Sequence, residues 1–316
     1  MNAELTEMPA PFEVLSSRRQ FLILMGFFLI CLVLFGLIGL VCILWIGHVS
    51  IYDVQGLSDY TNPEILLGLK VAQIVSSFGT FIIPAIVFAL LASRHRAEYL
   101  QVNRLGKLST MLLGGLLMWS ALPLINYLAE LNSHMQLPSF MHGVEVWMKD
   151  SEQKAEALTN AFMGHQTFGG FLVNLFMIGL LAAVAEEIFF RAVLQKIMIK
   201  MFKNIHWGIW ITAFLFSFLH FEFYGFLPRM LMGVYLGYLF VWSKSLWVPI
   251  FAHFLNNGTA VLFSYLEERN IVPKTIDQVG TDNSQIIYVI ASTIVVALII
   301  FIIYRSENKG NETAVV

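Results

Sequence analysis

Apolar and polar positions along this chain alternate in blocks, not residue by residue. The apolar runs are Phe21–Ile46, Ile65–Ala92, Leu108–Leu131, Phe168–Phe202, Trp207–Phe221, Phe226–Trp242, Leu246–Leu266 and Ile286–Tyr304. Most approach or exceed the ~20 residues that a helix needs to cross a hydrocarbon core. Lipid offers the backbone no hydrogen bonds, so only helices or closed barrels span it. The two-residue alternation of a barrel is absent. The pattern predicts an all-α, polytopic transmembrane helix bundle of about eight spans.

Its expected organisation is a tail at 1–20, three helices within 21–131, a long loop at 132–167, a helix bundle at 168–266, a loop at 267–285, a last helix at 286–304 and a tail at 305–316. The run at Phe168–Phe202 is longer than a bilayer requires, so its end should project or bend. Trp207–Phe221 is short for a full span. The long loop contains Val144–Phe162, which reads equally as an interfacial amphipathic helix or as a solvated segment.

Composition agrees and adds exclusions. Of 316 residues, 58% are hydrophobic and 13% charged, and the mean hydropathy is +0.72. These values exclude an ordinary soluble domain. A net charge of −2 with no basic run argues against a nucleic-acid partner. The first twenty residues carry Pro9, Pro11, Arg18 and Arg19 and lack the pattern of a cleaved signal peptide. Cys31 and Cys42 lie eleven residues apart in one run, or roughly 16 Å along a helix axis. That separation is too great for a disulfide.

Eight spans put both termini on one side, together with Arg18, Arg19, Arg94, Arg96, Arg104, Lys107, Lys196, Lys200, Lys203, Lys244, Arg305 and Lys309. The other side has fewer cations: Lys70, Lys149, Lys154, Arg229, Arg269 and Lys274. The positive-inside rule then makes the termini cytoplasmic, in a plasma or inner membrane.

Candidate chemistry begins within the fourth run, at Ala185-Glu186-Glu187-Ile188-Phe189-Phe190-Arg191. A charged residue at bilayer depth costs ~2.5–3.5 kcal/mol on insertion scales. Glu187 and Arg191 stand at i and i+4, the favoured order for an ion pair. Glu186 is turned by ~100° onto a neighbouring face, so it is left to point elsewhere. A structural ion-pair cluster and an intramembrane acid–base site both fit those facts. Later helices add His220 in Phe216-Ser217-Phe218-Leu219-His220, and His253 with Asn257 one turn on. With the membrane edge taken near Lys196, Asn204 and Leu246, helix rise puts Glu186 and His253 at ~10–15 Å depth and His220 at ~20–25 Å. A tilted or partly extramembrane fifth helix would bring His220 into register.

Glu-Glu-x-x-x-Arg, Phe-x-x-x-His and His-x-x-x-Asn, in that order on membrane helices, resemble the motifs of the CPBP (CAAX protease and bacteriocin-processing, or Abi) family of intramembrane proteases. The resemblance covers roughly Phe168 to Leu266. It implies an endopeptidase acting on membrane-associated or lipidated, even prenylated, peptides, with membrane lipid as its surroundings. It further implies that Glu186 is catalytic, with His220, His253 and Asn257 as the other polar members of the site. Glu187, Arg191 and Phe216 would support them.

In that scheme Glu186 activates a water, while His253 and Asn257 bind the water or the oxyanion. Glu186, His220 and His253 would equally serve as a three-ligand zinc set, although the His-Glu-x-x-His zinc helix is absent. The resemblance favours the glutamate mechanism without an obligatory metal. Two alternatives remain at this level: a non-proteolytic immunity or scaffold protein of the same fold, and a proton-coupled transporter.

Overall fold

The computed structural model describes residues 10–53, 59–164, 167–273 and 279–312. Pro9 and Lys274, which entered the sequence reading, lie outside the described residues, as does the side chain of Lys309. Among the described residues the chain is helical, without strands. The elements are α1 (Ser17–Ile46), α2 (Pro63–Ala92), α3 (Arg96–Leu100), α4 (Leu108–Ser120), α5 (Leu122–Ser133), α6 (His142–Met163), α7 (Phe168–Phe202), α8 (Ile205–Phe218), α9 (Phe226–Ser243), α10 (Trp247–Glu268) and α11 (Ile286–Glu312).

Local chemistry sets the boundaries. Asn62 caps α2, accepting hydrogen bonds from the Glu64 and Ile65 amides, with Pro63 at the first helical position. Thr167 caps α7 and Asn204 caps α8 in the same way. Lys203 and Lys244 end their helices in the left-handed conformation, at φ 51° and 52°. Pro123 stands where α4 and α5 meet at a 43° bend, because proline cannot continue the hydrogen-bond ladder. Within α2, Pro84 follows a π-helical segment at Phe78–Ile82.

Among the described residues five helices are long and apolar enough to cross a membrane: α1, α2, α7, α9 and α11. The α4–α5 pair makes a sixth if it is one bent span. α8 is short, at 14 residues. The long loop is not an open coil, since 22 of its residues form α6.

α7 is the axis of the bundle. From Phe189 to Gln195 every side chain is buried, so the usual one-faced pattern of a surface helix is lost there. Phe189, Phe190, Val193 and Leu194 share one core with Phe28 of α1, Phe88 of α2, Leu117 of α4, Phe216 of α8, Leu236 of α9 and Ala252 of α10. Two π-helical segments, Leu175–Leu181 and Ile188–Gln195, flank the α-helical turn Ala182–Glu187. Nothing in the residue spacing announces them. Such segments concentrate at functional sites in helical proteins.

Candidate active site

The two adjacent carboxylates on α7 meet different surroundings. Glu187 is fully buried, and both of its oxygens are engaged. Oε2 lies 3.0 Å from Arg191 Nε, and Oε1 lies 2.9 Å from His253 Nδ1 on α10. With Glu187 ionised, His253 carries its proton on Nδ1 and donates it there, which leaves Nε2 directed elsewhere. That Nε2 stands 3.8 Å from Glu186 Oε2. The gap is too long for a direct hydrogen bond and suits a bridging water.

Arg191 is packed on three sides. Its guanidinium lies over the Phe216 ring at 4.7 Å and reaches the Gly233 carbonyl of α9 at 3.5 Å. One turn on, Gln195 donates to the Gly237 carbonyl at 3.1 Å. Glycines leave the α9 surface bare here: Gly233 makes room for Ala213 and Phe216 of α8, and Gly237 for Gln195. A Cβ on Gly237 would come within 2.8 Å of Gln195 Oε1 and of Ile209.

His220 follows the end of α8, and its Nδ1 lies 2.7 Å from the Phe216 carbonyl. The Phe216 ring touches both histidines, 4.9 Å from His220 and 6.1 Å from His253 between centroids. Asn257 donates to the Ile178 carbonyl at 3.1 Å, inside the first π segment. Its own oxygen accepts from Asn256 at 3.1 Å. Asn257 therefore ties α10 to α7 as well as facing the site.

Glu186, His220, His253 and Asn257 line one cavity of about 460 Å³. Glu186, His220 and Asn257 also line a second cavity of about 300 Å³. The expected mismatch in depth for His220 does not arise. Lys196 of α7 bonds the Tyr99 carbonyl, and the Leu246 amide bonds the Gln101 carbonyl at 2.9 Å, so Lys196 and Leu246 share a level. α7 then runs on to Phe202, roughly 10 Å past that level. α8 starts that much lower, and its extra length returns His220 to the height of Glu186.

The zinc alternative meets a different fate. Among the described residues, no three His, Cys, Asp or Glu side chains converge on one point as a metal site requires. Glu186, His220 and His253 share the cavity wall without forming such a set, so no step is routed through a metal.

These motifs have a counterpart in known sequences. Residues 168–259, α7 through the middle of α10, match the family described as type II CAAX prenyl endopeptidase Rce1-like. Over this stretch, less than a third of its length, the chain is similar to that family. The match takes in all three motifs and leaves out α1–α6 and α11. A Bacillus subtilis (strain 168) protein described as uncharacterized, YpbD, is 33% identical over 86 residues. That alignment covers 26% of this chain and 41% of the relative. No solved structure matches the chain.

Part of the cavity wall went unread in the sequence. Thr159 and Met163 of α6 line the larger cavity, as does Arg229 in the first turn of α9. Arg229 is ion-paired with Glu222. Glu152 of α6 accepts the Tyr224 amide at 3.3 Å, and Trp147 of α6 packs on Phe223 at 5.2 Å between centroids. Burial raises the Glu152 carboxyl above its ordinary pKa. The Tyr224 amide opposes that rise and the Glu222 charge adds to it. The available signal is a cation inside an apolar run, Phe226-Leu227-Pro228-Arg229, which enters the sequence reading only as one of the cations on the side opposite the termini.

Proposed function

We propose that this protein is an intramembrane endopeptidase of the CAAX-protease type, in which Glu186 activates the attacking water. One observation carries the reading. Of two neighbouring carboxylates, only Glu186 is free of the Arg191–Glu187–His253 chain, and it faces a cavity beside a histidine nitrogen. A water held between Glu186 and His253 Nε2 would lose a proton to Glu186 as its oxygen attacks the peptide carbonyl carbon. His253 Nε2 accepts the water's other hydrogen, and the second amide hydrogen of Asn257, at the same cavity wall as His220, would meet the oxyanion that forms. Glu186 then passes its proton to the leaving amine, and the C–N bond breaks.

Glu187 holds the His253 ring in place, and Arg191 holds Glu187, as an orienting carboxylate does for an imidazole elsewhere. The family supports substrates that are membrane-associated or lipidated peptides, prenylated ones included. The distribution of basic residues supports cytoplasmic termini.

The test is cleavage of membrane peptides, prenylated and unprenylated, by the purified protein in detergent, with and without a zinc chelator. Glu186→Gln should lower kcat by about 10²–10⁴-fold, the range of general acid–base catalysis, with its melting temperature close to wild type. Wild-type activity should survive chelation. A Glu186→Gln protein that cleaves at the wild-type rate would sink the mechanism. A wild type inert toward every peptide would favour the scaffold, whose buried charge chain is then structural.

A further inference from the structure

Arg229 is expensive where it stands. It occupies the first turn of α9, where the helix dipole disfavours a cation, inside an otherwise apolar run. Its side chain is 17% exposed, and that of its partner Glu222 is 31% exposed. Gly225, just before α9, leaves room for the guanidinium, since a Cβ there would lie 3.2 Å from Arg229 Nη2. The cation contributes to the wall of the cavity that holds Glu186 and His253. Glu222 instead contributes to the wall of the second cavity. Both cavities include Glu186, so a peptide chain laid across that carboxylate would have one flank in each.

From this placement we propose that Arg229 is a specificity residue that binds a carboxylate carried by the substrate, and that Glu222 holds its place until the substrate arrives. The inference rests on the endopeptidase reading and adds the direction of the bound chain. The carboxylate-bearing flank enters the cavity walled by Arg229 and Met232, and the other flank enters the cavity walled by Gln73 and Glu222. A guanidinium pairs with a carboxylate in a two-pronged geometry that neither an amide nor a lysine reproduces. Glu222 is the more exposed member of its pair, so it can turn toward water when displaced. Glu152 stands close by, putting two carboxylates around one guanidinium.

A substrate carboxylate has two sources, a free C-terminus or an acidic side chain, and the experiment separates them. Four versions of one cleavable membrane peptide are compared: C-terminal acid or amide, each with Glu or Gln near the scissile bond. Wild type should favour one acidic form by about tenfold or more in KM, the scale of a charge-assisted hydrogen bond. Arg229→Gln should abolish that preference, raising KM for the acidic peptide about tenfold more than KM for the fully neutral one. Glu222→Gln should act in the opposite direction, lowering KM for the acidic peptide.

A wild type indifferent to all four versions overturns the proposal. So do two variants that lower kcat alike on every peptide, because a merely structural ion pair predicts that result. Wild type inert toward all four removes the endopeptidase reading and this inference with it.

Discussion

α1 and α7 are both long, apolar helices, yet they answer to different surroundings. Only 11% of the most apolar window of α1 is buried within the protein, against 33% for α7. Most of α1 faces lipid, with Val33, Leu37 and Val41 all exposed. α7 buries Glu187 and Arg191 fully, and its charged turn reaches α8 through the Phe216 ring, α9 through the Gly233 carbonyl and α10 through His253. Lipid asks only that a side chain be apolar. A protein interior at crystal-like density also asks for shape and for a partner at every polar atom. The same hydropathy therefore carries loose constraints in one helix and tight ones in the other.

Substitutions can break that contrast. The largest stability effect is expected at Glu187→Ala, which strands the buried Arg191 and removes the acceptor of His253. Breaking such a pair costs about 3–5 kcal/mol, which thermal unfolding in detergent would show as a large fall in Tm. A Tm within a degree of wild type would mean that the charge chain does not hold the helices. Gly237→Ala should cost about 1–3 kcal/mol through overpacking, as the new methyl meets Gln195 and Ile209. Activity should fall with it if Gln195 helps to seat α7, and an unchanged Tm would show that α9 yields. Leu37→Val on the lipid face of α1 should stay within about 0.5 kcal/mol. A larger loss there would erase the distinction between the two helices.

The smallest effect belongs to Glu152, at the junction of α6 with the Phe221–Gly225 turn. Its carboxyl is raised by burial, so its stabilising contribution is complete at acidic pH and is lost as pH rises through that raised value. Amide exchange in this turn, corrected for intrinsic rates, should show protection that weakens over that rise. Protection that strengthens with pH would contradict the assignment. Glu152→Gln should flatten the dependence.

Much of this was legible in the residues. The bounds of α1, α2, α7 and α9 lie close to those expected, because a bilayer imposes one strong rule on every span. The fourth run is one continuous 35-residue helix, and its extra length proves to be what brings His220 level with Glu186. The count of eight spans is a different matter: five helices, or six with the bent pair, satisfy length and apolarity. α8 is too short, and α10 carries Asn256, Asn257, Glu267 and Glu268, so membership of these two in the membrane depends on neighbours more than on composition. α6 could not be chosen from its sequence because an amphipathic pattern of low mean hydropathy fits an interface or a solvated loop equally. Its seat against Tyr224 and Phe223 is a tertiary fact.

By itself the sequence determined the helical class, the order of the helices and the candidate residues Glu186, Glu187, Arg191, His220, His253 and Asn257. The helical class and the Glu187–Arg191 pair follow from hydropathy, helical spacing and the cost of a charge in lipid, all of which are local, whereas the grouping of His220, His253 and Asn257 with Glu186 is what the motif resemblance implies. Only the tertiary structure decided that Glu187 would be sealed by two partners while Glu186 faced a cavity. It likewise set Asn257 against a π-segment carbonyl and brought Arg229 to the wall of the site. Those outcomes depend on which helix faces which, and at what height, and spacing along one helix does not encode either.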